Sequence, residues 1–153
     1  MIFVVAVSDF MDEFATILIH NEHLSMWDIT IDELYQIAIT NTPALLPYRF
    51  KPMKDVLDTL SESPVSFPEN LDMSLLSNKI KIHGATCIVY PGLLKHIAEE
   101  LDDNLIIIPS SIHEVLIIPY KSSLDEYTLS DYNDMVLEVN ETQLMDDEIL
   151  FYE

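Results

Sequence analysis

The chain has 153 residues, 49% of them hydrophobic, enough for a packed core and against general disorder. Seven Lys and Arg face 27 Asp and Glu, a formal net charge of −20 that repels DNA, RNA and anionic lipid. A single cysteine, Cys87, excludes an internal disulfide and leads to the expectation of a reducing, cytoplasmic setting.

In chain order, the opening MIFVVAV is apolar, lacks a basic flank and is cut short by Asp9. It is expected to be a strand, and neither a signal peptide nor a membrane span. With FATILIH it predicts a hairpin of two buried strands separated by DFMDE. The next stretch, ILIHNEHLSMW, brings together His20, Glu22, His23 and the only tryptophan. These residue types can hold zinc, but zincin helices space their histidines at i and i+4, and here the separation is three. A third protein ligand would have to come from elsewhere, with His83, His96 and His113 as candidates. The alternative is that His20 ends a strand and Asn21 or Glu22 caps the turn, anchored by Leu24 and Trp27.

DITIDELYQIAITNTP predicts a helix opened by a capping box of Thr30 and Glu33 and ended by Pro43. A shorter helix is expected over MKDVLDTLS, a loop over ESPVSFPEN and a strand over DMSLLSN. NKIKIHG reads as a turn or short extended piece ending at Gly84, and residues 85–90 suit a strand or a helix equally. PGLLKHIAEELDD is helical, with Pro91 in its first turn and Leu93, Leu94, Ile97, Ala98 and Leu101 on one apolar face. NLIIIPS and HEVLIIP are paired strands, Ser123 and Glu126 mark a further capping box, LSDYNDMVLEVN is an amphipathic helix, and EILFYE adds a last strand. The whole predicts one α+β domain over residues 1–153. Its mixed, mostly antiparallel sheet has five or six strands, with three or four helices packed on it.

ATILIHNEHLSMW, ITNTPALLP, YPGLLKHIAEELDDNLIIIPSSIHEVLIIP and EVNETQL give the chain a resemblance to domain-of-unknown-function family 5688. The resemblance runs from about Ile2 to Tyr152 and is to the C-terminal half of that family, whose members are usually longer. It implies an origin in gut bacteria and their mobile elements, and it carries over no activity, cofactor or catalytic residue.

Several chemistries can be weighed on the residues. Cys87 with His83 is a conceivable thiolate–imidazole pair, but ATCIVY surrounds the thiol with apolar side chains and no orienting third group is visible. Ser110 and Ser111 lie near His113 without the glycines of a nucleophile elbow, and fit better as acceptors for turn amides. With only Gly84 and Gly92, neither a Walker loop nor a dinucleotide fingerprint can be written, and no cofactor is expected.

The acids carry more information. No Lys or Arg follows Lys121, whereas Asp125, Glu126, Asp131, Asp134, Glu138, Glu141, Asp146 and Asp147 all do. On a wheel of about 100° per residue, Asp131, Asp134, Glu138 and Glu141 fall within an arc of about 80°. Like charges at i,i+3 and i,i+4 cost about 0.2–0.5 kcal/mol per pair, and no lysine relieves them. The cations gather instead in Arg49/Lys51/Lys54 and Lys79/Lys81. The expectation is a non-enzymatic acidic binding protein that occupies the basic groove of a nucleic-acid-handling protein. Such a protein could be a nucleic-acid mimic or anti-defence inhibitor, an anti-CRISPR for instance, and would contact neither nucleic acid nor membrane itself. Two alternatives stand beside it: a metal-dependent hydrolase using His20, Glu22 and His23, and an oligomeric scaffold or homodimer joined through open strand edges.

Overall fold

The computed structural model describes residues 3–10, 13–60, 72–120 and 150–152. The chain divides into two compact units, Met1–Thr42 and Pro43–Glu153.

The first unit opens with the expected hairpin. Strand β1 (Val4–Phe10) runs antiparallel to β2 (Glu13–Leu18), in a register that sets Val4 opposite Leu18 and Val7 opposite Ala15. The expectation that these strands are buried is corrected: Ile17 is 57% exposed, and Val4, Val5 and Leu18 are exposed as well. β-Branched composition marks extended backbone, not burial, and a two-stranded ribbon covers neither of its own faces. Helix α1 (Asn21–Trp27) follows, then α2 (Ile31–Leu45). Leu34 of α2 is buried.

The capping box of α2 forms as expected. Both the backbone N–H and the hydroxyl of Thr30 donate to Glu33 Oε2, at 2.8 and 2.9 Å, and the Glu33 N–H donates to Thr30 Oγ1 at 3.2 Å. These bonds, the backbone one first, hold the Glu33 carboxyl below its ordinary value of 4.5. A lowered folded value means that this contribution is complete above the unfolded value and is lost as pH falls through the folded one. Thr30→Ala will therefore move the Glu33 titration midpoint, followed by carbon-detected NMR, up toward 4.5. It will also speed amide exchange at the start of α2 roughly fivefold. An unchanged midpoint would show that the box does not form in solution. Pro43 does not end α2, as its sequence position suggests; it sits inside, two residues before the last one. In the final turn a proline removes a single N–H, and the Thr42 hydroxyl donates to the Ala38 carbonyl there at 2.6 Å.

The second unit is built on a five-stranded antiparallel sheet of order β3-β4-β6-β5-β7. Its strands are β3 (Tyr48–Pro52), β4 (Ser74–Asn78), β5 (Leu105–Ser111), β6 (Glu114–Pro119) and β7 (Leu150–Tyr152). Helices α3 (Met53–Leu60) and α4 (Leu93–Leu101) and a 3-10 helix over Gly84–Val89 complete it. The α+β class is as expected, with the hairpin forming a sheet of its own and, among the described residues, every pairing antiparallel.

The run of isoleucines in β5 explains where the core sits. Consecutive side chains of a strand point to opposite faces, so Leu105-Ile106-Ile107-Ile108 must be covered on both sides. Leu105 and Ile107 pack with Leu76, Val115, Ile117, Cys87, Leu93 and Ile97 beneath the 3-10 helix and α4. Ile106 and Ile108 pack on the other face with Met73, Ile118 and, from α3, Met53. Leu93 and Ile97 of the expected apolar face are buried, and Leu94, Ala98 and Leu101 pack against them. Pro91, by contrast, lies ahead of α4; Gly92, at φ 73°, occupies the cap position in its place. No helix among the described residues is long and apolar enough to cross a membrane.

Candidate functional site

The histidine-rich stretch is explained first as local structure. His20 is extended (φ −100°, ψ 162°) and precedes the first turn of α1. Its N–H donates to His23 Nδ1 at 3.0 Å, and the His23 N–H donates to the His20 carbonyl at 3.0 Å. His23 thus does what Glu or Gln does in an ordinary capping box, taking up the N–H that the helix start leaves over. One turn on, Trp27 stacks on the same imidazole, with ring centroids 5.5 Å apart. Glu22 is exposed in the first turn, where a carboxylate suits the helix dipole. Among the described residues no group of three or more His, Cys, Asp or Glu side chains gathers as a metal ion would require.

The other candidates resolve in the same way. The Cys87 thiol is buried and donates to the Ser77 carbonyl at 3.3 Å, and its burial pushes its pKa up, away from the thiolate. His83 is exposed at the cap of the 3-10 helix, where its N–H donates to His113 Nδ1 at 3.1 Å. Ser111 Oγ accepts from the His113 N–H at 3.0 Å, the turn role expected of this serine pair. Asp125, Glu126, Asp131, Asp134, Glu138, Glu141, Asp146 and Asp147 lie outside the described residues, as do the Ser123 cap, the helix expected over 129–140 and the loop expected over 62–70.

What the sequence did not signal is that the two basic clusters meet. Strand β3 was not anticipated, and it pairs with β4 so that Arg49 lies opposite Ser77 and Lys51 opposite Leu75. Residues two apart share a face, so Arg49, Lys51, Leu75 and Ser77 look the same way, while Phe50 and Leu76 join the core on the other. Val56 and Thr59 of α3 and Lys81 of the turn after β4 close a shallow cleft of about 70 Å³ over that face.

The turn that delivers Lys81 is braced from inside. Asn78 has no exposed surface; its amide donates to the Ile82 carbonyl at 2.7 Å, and its Oδ1 accepts from the N–H groups of Ile80 and Ile82 at 3.2 and 3.3 Å. The Lys79 N–H donates to the Pro47 carbonyl at 2.9 Å and ties the turn to the start of β3. Lys81 itself adopts φ 57°, a left-handed conformation costly for a side chain of its size. Arg49, Lys51 and Lys81 form no ion pair with a described carboxylate.

Fold and cleft together define a small, strongly acidic α+β protein that gathers most of its cations at one edge of one sheet. A family model described as a family of unknown function, DUF5688, matches residues 1–153. The chain belongs to that family. The match takes in the entire chain, which corrects the narrower expectation of a correspondence to the family's C-terminal half. No curated protein and no solved structure matches.

Proposed function

We propose that the protein is a non-enzymatic binding protein that offers carboxylates to the basic groove of a nucleic-acid-handling protein. The observation that supports this is the segregation of charge along the chain. Residues 1–42 hold seven Asp and Glu and no Lys or Arg, and the segment after Lys121 is again free of cations. Glu22, Asp28 and Asp32 are exposed, and within the first unit no cation is present to neutralise them. Lysine is the cheap remedy for repulsion on a surface, and a protein selected for stability alone mixes the signs. Carboxylates kept apart from cations retain their field for a partner, raising the encounter rate and setting its salt dependence.

The residues assigned to the contact are Asp125, Glu126, Asp131, Asp134, Glu138, Glu141, Asp146 and Asp147. A nuclease whose cleft receives DNA or RNA is the natural target, and an anti-defence role against a CRISPR nuclease or restriction enzyme fits the mobile-element setting that the family resemblance implies. Binding to such a nuclease is expected to inhibit cleavage and to weaken at least tenfold between about 50 mM and about 300 mM salt. Affinity that ignores salt, or failure to inhibit any DNA-binding enzyme of this type, would overturn the reading.

A further inference from the structure

We infer that the cleft bounded by Arg49, Lys51 and Lys81 is a binding site for a phosphoryl group, a function of opposite sign to the acidic surface and independent of it. Three cations line a space of about 70 Å³ in a chain whose net charge is −20. Like charges this close repel, and with 27 acidic residues available the simplest relief is a carboxylate placed between them. Among the described residues none is there. The arrangement makes sense if the counter-charge arrives from outside.

The chemistry of the lining selects the ligand. Thr59 Oγ1 is committed to the Asp55 carbonyl at 2.7 Å, and Ser77 Oγ to the His113 carbonyl at 2.7 Å, so the free donors are the guanidinium and two ammonium groups. A planar fork flanked by two point charges matches an oxyanion that carries two charges and three or more acceptor oxygens. Phosphate meets that description better than a single carboxylate does. Size points the same way, because pockets that enclose a whole organic ligand run to roughly 300–1,000 Å³, so this cleft takes a head group and leaves the rest of any ligand in solvent.

The placement of Lys81 is the second support. A left-handed φ of 57° at a lysine, held by a wholly buried asparagine whose amide is spent on that turn, is backbone strain with a dedicated brace. Solvation of a lysine needs no such device; aiming it over β3 does.

The experiment is an NMR titration of the full chain with inorganic phosphate at constant ionic strength, with sodium chloride and sodium acetate as matched controls. Phosphate is expected to shift the amides of residues 49–51 and 79–82 saturably, with a midpoint on the order of 1 mM. A triple variant, Arg49→Gln with Lys51→Gln and Lys81→Gln, should weaken binding tenfold or more while the remaining amide signals stay in place. Titration with ribose 5-phosphate separates the sources: tighter binding assigns the site to a phosphate ester, equal or weaker binding to the free ion. Shifts that chloride or acetate reproduce, shifts that never saturate, or an affinity the triple variant leaves unchanged would overturn the inference. So would an acidic peptide that binds these residues while phosphate does not.

Discussion

Replacing Gly84 with alanine will lower the stability of the protein by about 3 kcal/mol, the largest loss expected from adding a single methyl group. Gly84 is buried where the 3-10 helix leaves the turn after β4, and a Cβ there would run into Ser77 Oγ and the His113 carbonyl oxygen and lie 2.8 Å from the Asn78 nitrogen. None of the three can move cheaply. The Ser77 hydroxyl donates to that same His113 carbonyl at 2.7 Å, and the Asn78 backbone belongs to β4. Relief would require parting β4 from the β5–β6 turn, to which the Ala85 N–H also donates through the Ile112 carbonyl at 3.3 Å. Urea denaturation should show the loss, and a thermal scan a fall in Tm of roughly 10 °C. A change below about 1 kcal/mol would mean that the close packing of Gly84 against Ser77 and His113 is not present in solution.

Asn78→Ala is expected to cost about 2–3 kcal/mol by the same measurement, for a different reason. The side chain satisfies three backbone groups of the turn, the N–H of Ile80, the N–H of Ile82 and the carbonyl of Ile82. Water can reach part of the turn, since Ile80 is exposed, which keeps the loss below that of three fully buried groups. The variant also separates position from charge. With Arg49, Lys51 and Lys81 all retained, it should still weaken phosphate binding severalfold, because Lys81 is no longer held over β3. Arg49→Gln should do the reverse, leaving the denaturation midpoint within about 0.5 kcal/mol of the parent while weakening phosphate. If Asn78→Ala left both readouts untouched, the buried amide would have no part in shaping the cleft.

How much of this was visible in the sequence depends on the kind of signal each element carries. Helices α2 and α4 and the paired strands β5 and β6 announce themselves through apolar spacing and the Thr30–Glu33 box, and they form as expected except at the ends marked by Pro43 and Pro91. Strand β3 was missed because Arg49 and Lys51 interrupt it and prolines bracket it at 47 and 52. Those are features of an edge strand, where one row of backbone groups needs no partner and a proline is tolerated. The alternation Tyr48-Arg49-Phe50-Lys51, aromatic against cationic, was the available clue. The 3-10 helix was ambiguous because six residues with an i→i+3 repeat match neither the period of a strand nor that of an α-helix. The cleft could not be read at all, since it depends on Arg49 and Ser77 meeting across a register that no local pattern encodes. His23 misled in the opposite direction: a residue type suggestive of zinc turns out to close a helix start.

The strand order carries a consequence for how the chain folds. Strands β5 and β6 join through a tight turn, and α4 lies immediately before them, so this part can form from neighbouring residues alone. Strand β4 must instead wait for the 3-10 helix, α4 and β5 to come into place before Leu76 can meet Val115, and β3 then adds outside β4. Closing long loops is the slow step in antiparallel sheets, and outer strands open at lower free energy than central ones. The basic edge is therefore assembled late and released early, and a ligand that bridges β3 to the turn after β4 would act as a clasp on the last stage of folding.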